Sequence, residues 1–339
     1  MTKMAVAVCT VSAFASGILS SAAPASFTGV QPQLAAMGER VYVAFGHEDS
    51  IRVARSDDRG DTFNAPVRLP LSGRLSLGMH RGPRVAVTSS MVLVAAVAGT
   101  KGGGADGDVL LFRSTDRGKS WTESLIVNDV RGSAREGLHA LAASPSGVVV
   151  IAWLDLRAPG TRVFAAVSRD HGGTWAPDVL AYESPDGSVC ECCHPSVAID
   201  AQGRIHVMFR NWLGGSRDMY LATSTDQGAT FQAAKLGSGT WKLNACPMDG
   251  GGLGVGPAGP VTVWRRDGQI HADGVLGEGK DPALAVGPSG KPVYGWTRAG
   301  EVIVGGESMG LGGFVSLAGG SQVVAAWETP EGIKVQRLR

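Results

Sequence analysis

Ser56-Asp57-Asp58-Arg59-Gly60-Asp61-Thr62-Phe63 is echoed by Ser114-Thr115-Asp116-Arg117-Gly118-Lys119-Ser120-Trp121, by Ser168-Arg169-Asp170-His171-Gly172-Gly173-Thr174-Trp175 and by Ser224-Thr225-Asp226-Gln227-Gly228-Ala229-Thr230-Phe231. Each copy has the form S-x-D-x-G-x-[TS]-[FW], and successive copies start 58, 54 and 56 residues apart. The segment reads as a hairpin turn: the Asp carboxylate accepts N–H groups across it, the Gly takes a positive φ, and the aromatic anchors the next strand in a core. Four copies at a constant interval would be spread through a repeat array, so these aspartates read as structural rather than as one catalytic centre.

Each copy follows an alternating strand such as Met219 to Thr223, itself preceded by a strand pair such as Ser196 to Asp200 and Ile205 to Arg210 joined at Gln202-Gly203. Four strands per unit emerge. The segments resemble the Asp-box, or BNR, repeats of sialidases and other β-propellers. That resemblance spans about residues 28 to 240 and implies that each box joins the third and fourth strands of a blade. Beyond residue 245 the boxes stop, but strand pairs continue at Gly250 to Val255 with Val261 to Arg265, at Pro282 to Val286 with Pro292 to Trp296, and at Phe314 to Leu317 with Val323 to Trp327. Inner strands starting near 33, 84, 139, 195, 249, 282 and 314 predict an all-β propeller of seven four-stranded blades. Six is the alternative, because the last three units are short and the strand near Phe27 to Val30 is free to complete the last.

Lys3, the apolar stretch from Met4 to Leu19 and the small residues up to Ala25 have the order of a secretory signal, which places the remaining single domain, 26–339, in the periplasm or outside the cell. No later stretch is apolar enough to span a membrane. A net charge of +1, with 18% charged residues, gives no reason to expect a nucleic-acid partner. The chain reads as a monomer, since a ring closes its own sheet edges.

If the box turns share one face with the first-to-second strand turns, the loops leading into each blade share the other face with the second-to-third loops. The lead-in loops carry His80, Arg81 and Arg84, then Glu136 and His139, then Cys190, Cys192, Cys193 and His194, then Cys246, Met248 and Asp249. The second-to-third loops add Asp155, Arg157, Arg210, Asn211, Trp212, Arg217 and Asp218. Propeller ligands bind where such loops converge. Glu136, Asp155 and Arg157 are therefore the catalytic candidates, and Arg81, Arg84, His139, Arg210, Asn211, Arg217 and Asp249 the ligand-binding ones, suited to an anionic small molecule or glycan.

Cys190-Glu191-Cys192-Cys193-His194-Pro195 and Cys246-Pro247-Met248-Asp249 precede consecutive inner strands. In an oxidising compartment these cysteines could form two disulfides, most comfortably Cys190 to Cys193 and Cys192 to Cys246. The alternative is a soft-metal site drawing on Cys190, Cys192, Cys193, His194, Cys246 and Met248, whose thiolate, imidazole and thioether groups suit copper(I) or zinc.

The sialidase family places an Arg in a [FY]-R-I-P segment of its first blade, where this chain reads Gly29-Val30-Gln31-Pro32-Gln33-Leu34, and it uses a Tyr nucleophile. None of Tyr42, Tyr182, Tyr220 and Tyr294 occupies the late-blade lead-in position that this requires. The Cys190 to Thr230 stretch, with Cys246-Pro247-Met248-Asp249-Gly250, is more similar to exported bacterial BNR proteins that bring no established reaction. Three functions follow as expectations: a propeller with a Cys-centred site beside an Arg-rich pocket, a glycoside hydrolase acting on anionic sugars, and a non-catalytic interaction scaffold.

Overall fold

The computed structural model describes residues 23–338, and every regular element among them is a β-strand. Seven antiparallel sheets follow one another around a ring, which settles the blade number. Their inner strands are Val30–Met37, Arg84–Val87, His139–Ala143, Ser196–Ile199, Gly251–Gly256, Lys280–Val286 and Gly313–Gly319, close to the starts expected from sequence. Six sheets have four strands; in the second, Arg74–Leu75 also pairs beside Val92–Gly99. The seventh blade takes its outer strand from the other end of the chain, Ala25–Phe27 pairing with Gly332–Arg337. The charged and apolar parts of the export signal read at 1–25 lie outside the described residues, whereas Ala25 is paired with Val335.

The core is a set of layers between blades. Leu93, Val97, Val149 and Trp153 pack the second blade on the third, Val150, Val163, Val207 and Phe209 the third on the fourth, and Val43, Phe45, Val324 and Val335 close the first on the seventh. The layer between the fourth and fifth blades is the thinnest, with only Met208, Met219 and Trp264 buried in it. That joint is held by polar groups instead, and they belong to the candidate site.

All four Ser-x-Asp segments follow the third strand of a blade and share one hydrogen-bond pattern. The Ser hydroxyl donates to the Asp and accepts the Gly N–H, at 2.6 and 2.8 Å for Ser56, while the Asp accepts both the N–H and the hydroxyl of the Thr or Ser four residues on. The first-to-second turns lie on the same side, as Arg59 N–H donating to Glu39 O and His171 N–H to Gly147 O show. These bonds to the ionised form hold Asp58, Asp170 and Asp226 down to about 2 from 3.8. A depressed carboxylate stabilises the fold above its unfolded pKa and loses that contribution as pH falls through the folded value. The urea midpoint is therefore expected to drop between about pH 4 and pH 2, and Asp170→Asn should flatten part of that slope.

Candidate functional site

On the opposite face the lead-in loops meet at the mouth of a central channel, a cavity of about 180 Å³ lined by His80, Arg84, His194, Asp281 and the first residues of the inner strands. Three lead-in segments share one construction. Gly29-Val30-Gln31, Gly279-Lys280-Asp281 and Gly312-Gly313-Phe314 each begin with a Gly on which a middle-strand aromatic, Phe45, Trp296 or Trp327, lies so close that a Cβ would stand within 2.7 Å of the ring. Two residues later the chain takes φ of 55°, 53° and 51° at Gln31, Asp281 and Phe314, and the strand register shifts there.

These loops come together on His80. Gln31 Oε1 accepts Gly78 N–H at 2.8 Å, Arg84 donates to the His80 carbonyl, and Asp281 Oδ1 accepts His80 Nε2–H at 2.9 Å. The His80 ring stacks on His194, centroids 4.5 Å apart, and meets Phe314 edge-on at 4.9 Å. His80 thus leaves the second blade and touches the fourth, sixth and seventh. Sequence reading placed His80 on this face without assigning it a role, and it passed over Gln31, Asp281 and Phe314. The repeated Gly-x-Z, followed by Pro at 32 and 282, was the signal available.

Most arginines proposed as ligand contacts are girders. Arg84 gives its Nε, Nη1 and Nη2 to the carbonyls of His139, Gly82 and His80, and burial pulls its pKa down to about 10. Arg210, 1% exposed, binds Asp249 at 3.2 Å and donates to the carbonyls of Arg217 and Arg265, and Asp249 also meets Arg265 at 3.5 Å. Burial raises the Asp249 pKa against the lowering effect of those two arginines. Arg81 is held by the Glu136 and Gly78 carbonyls and lies 3.6 Å from the Glu136 carboxylate. His139 is enclosed, with Nδ1 against Gly137 O, and desolvation pushes its pKa down to about 4.

Glu136 and Asp155 do not form an open carboxylate pair. The Asp155 side chain is fully buried, taking Trp153 Nε1–H at 2.8 Å and both Nε and Nη2 of Arg157, which also binds Asp178. Asn211 donates to Tyr182 Oη, and Asp218 is engaged by Lys235, Thr240 and the Trp241 N–H.

The cysteines form the other centre of this face. Cys190, Cys192 and Cys193 place their sulfurs 3.6, 3.4 and 3.9 Å apart, with Cys190 and Cys193 buried. Among the described residues they are the group whose ligand atoms lie close enough together to hold one metal ion. All four cysteines of the described residues are free, so neither the Cys190–Cys193 nor the Cys192–Cys246 bridge is formed here. Arg217 Nη1 donates to Cys190 Sγ at 3.0 Å. Hydrogen bonds from the Cys192 and Cys193 thiols, with the charges of Arg217 and Arg210, lower the Cys190 pKa; the Cys190 partner raises that of Cys192, and burial raises that of Cys193. Cys246 is exposed and bears on Cys192. His194 turns toward the channel, where its Nδ1 accepts Gly250 N–H at 3.2 Å.

The fold is a seven-bladed propeller, and it is similar to those of sialidases and arabinanases. It resembles an α-L-arabinanase of Penicillium chrysogenum complexed with arabinobiose (TM-score 0.56, 14% identity, covering 93% of this chain and 97% of that one). It also resembles the intramolecular trans-sialidase of Ruminococcus gnavus (0.55, 11%, 93% and 95%) and a Dyadobacter fermentans protein of unknown function (0.55, 14%, 94% and 98%). At these identities the likeness is one of fold. No protein-family profile matches the chain, and no curated protein matches it.

Proposed function

We propose that this is an exported propeller that binds one copper(I) or zinc ion through Cys190, Cys192 and Cys193, with Cys246, which bears on Cys192, as a further donor. The spacing of the three sulfurs carries the reading. Bonds of about 2.3 Å in a tetrahedral thiolate site put neighbouring sulfurs about 3.8 Å apart, whereas a disulfide needs about 2.05 Å. The observed 3.4 to 3.9 Å fits the first. Arg217 and Arg210 supply positive charge where a multi-thiolate centre is left negative.

The ion would sit at the fourth-to-fifth blade joint, where the apolar layer is thinnest. There it would link the loop leading into one blade with the loop leading into the next, so metal binding and ring stability are coupled. A spectroscopic titration of the reduced protein tests this: a thiolate-to-metal absorption saturating at one equivalent of copper(I) or zinc supports the site. No uptake by reduced, folded protein rejects it.

A further inference from the structure

We propose that the channel mouth is a second site, in which His80 is a catalytic base that activates water for hydrolysis of a small ester. Thirteen non-glycine residues of the described chain have positive φ. Seven of them occupy hairpin or box turns, where such a conformation is routine. The other six, Gln31, Met79, His80, Met248, Asp281 and Phe314, all lie in the segments that converge on the mouth. Each costs on the order of 1–3 kcal/mol, and such strain persists only where surrounding structure enforces it. Here most of that structure serves to hold one imidazole.

The hydrogen bond to Asp281 fixes the proton on His80 Nε2, so Nδ1 is left as the basic nitrogen. Nδ1 takes no hydrogen bond from the described residues and is not among their buried unpartnered atoms, and the side chain keeps 13% of its surface exposed. A carboxylate behind one ring nitrogen and an open lone pair on the other is the arrangement of a general base.

The available partners favour an ester over a glycoside. Glycoside hydrolysis ordinarily needs two carboxyl groups, one to protonate the leaving oxygen and one to attack or activate water. Every carboxylate at this mouth is already engaged: Asp281 with His80, Asp249 with Arg210 and Arg265, Glu136 beside Arg81, and Glu328 with the Gln31 N–H. Ester hydrolysis can run on one imidazole. A water O–H bond breaks, its proton passes to Nδ1, and the oxygen bonds to the acyl carbon. The tetrahedral intermediate then collapses, the acyl C–O bond breaks, and the leaving alkoxide takes the proton from Nδ1. Acid and alcohol leave, the imidazole is neutral again, and no redox partner is needed.

The probe is p-nitrophenyl acetate, small enough for the mouth, used with the full folded chain. Turnover is expected to fall about 100-fold or more in His80→Gln and about 10-fold or more in Asp281→Asn, and to persist in His47→Gln. Absence of turnover above the uncatalysed rate overturns the proposal, as does a rate indifferent to His80→Gln. Should His80→Gln not fold, diethyl pyrocarbonate with peptide mass mapping replaces it: wild-type activity must vanish in step with His80 carbethoxylation. Activity that survives complete His80 modification is equally fatal to the idea. Free thiols also cleave this ester, so the rates are compared after the accessible thiols, Cys246 first, have been blocked.

Discussion

Arg210→Met is expected to lower the free energy of unfolding by about 3–5 kcal/mol at neutral pH, among the largest single-residue effects in the molecule. The side chain is 1% exposed and so is that of Asp249, its partner at 3.2 Å. Removing the guanidinium strands a buried carboxylate and leaves the carbonyls of Arg217 and Arg265 short of a donor. Other blade joints could absorb such a loss in apolar contact, but this one encloses only Met208, Met219 and Trp264. Because Asp249 already has a raised pKa, the deficit should shrink as pH falls from 7 toward about 4. There the folded variant keeps a neutral Asp249 while the unfolded chain still ionises it, so proton uptake favours the fold. Arg210→Met with Asp249→Leu should recover part of the loss. Urea titrations at both pH values check the sign; a deficit independent of pH would show that the stranded carboxylate is not its cause.

Cys193→Ser is expected to weaken metal binding by more than 100-fold, and Arg217→Met by about 10–100-fold, the usual cost of losing a partner of a ligand. Cys193 is buried and its sulfur is 3.4 Å from that of Cys190, so no neighbouring thiol can take its place without moving the loop. Arg217 would act on a bound ion through Cys190, to which it donates, and its guanidinium also lies over Trp212, which keeps it in place when no ion is bound. Competition against a chromophoric chelator measures both variants. Equal affinities for wild type and Arg217→Met would remove the arginine from the site.

How far the sequence foretold this molecule varies along the chain. The four Ser-x-Asp segments made the first four blades countable, and strand rhythm located the last three, but only the paired strands distinguished seven blades from six. The converging face was legible too, since alternation of turns around a blade sorts loops onto two sides. What sequence could not separate was girder from working group. Arg84, Arg210, Asp155 and Asp249 are charged loop residues in the linear text, yet each is consumed by protein partners that only folding brings near. Conversely, Gln31 and Asp281 sit inside Gly-x-Z-Pro segments that read as ordinary strand starts. Their direction depends on a left-handed residue beside a glycine pressed by an aromatic from the next strand, a contact outside any local pattern. The cysteine group was conspicuous, but whether its sulfurs stood at bonding or coordinating distance was a question of loop conformation.

The most direct test of the thiolate centre is the native mass of the protein purified from an oxidising compartment without chelator. One copper or zinc ion per chain, with all four cysteines of the described residues still carrying their hydrogens or bound to that ion, is the result expected. A metal-free mass short by two hydrogens for each of two bridges would contradict it and make the cluster a pair of disulfides.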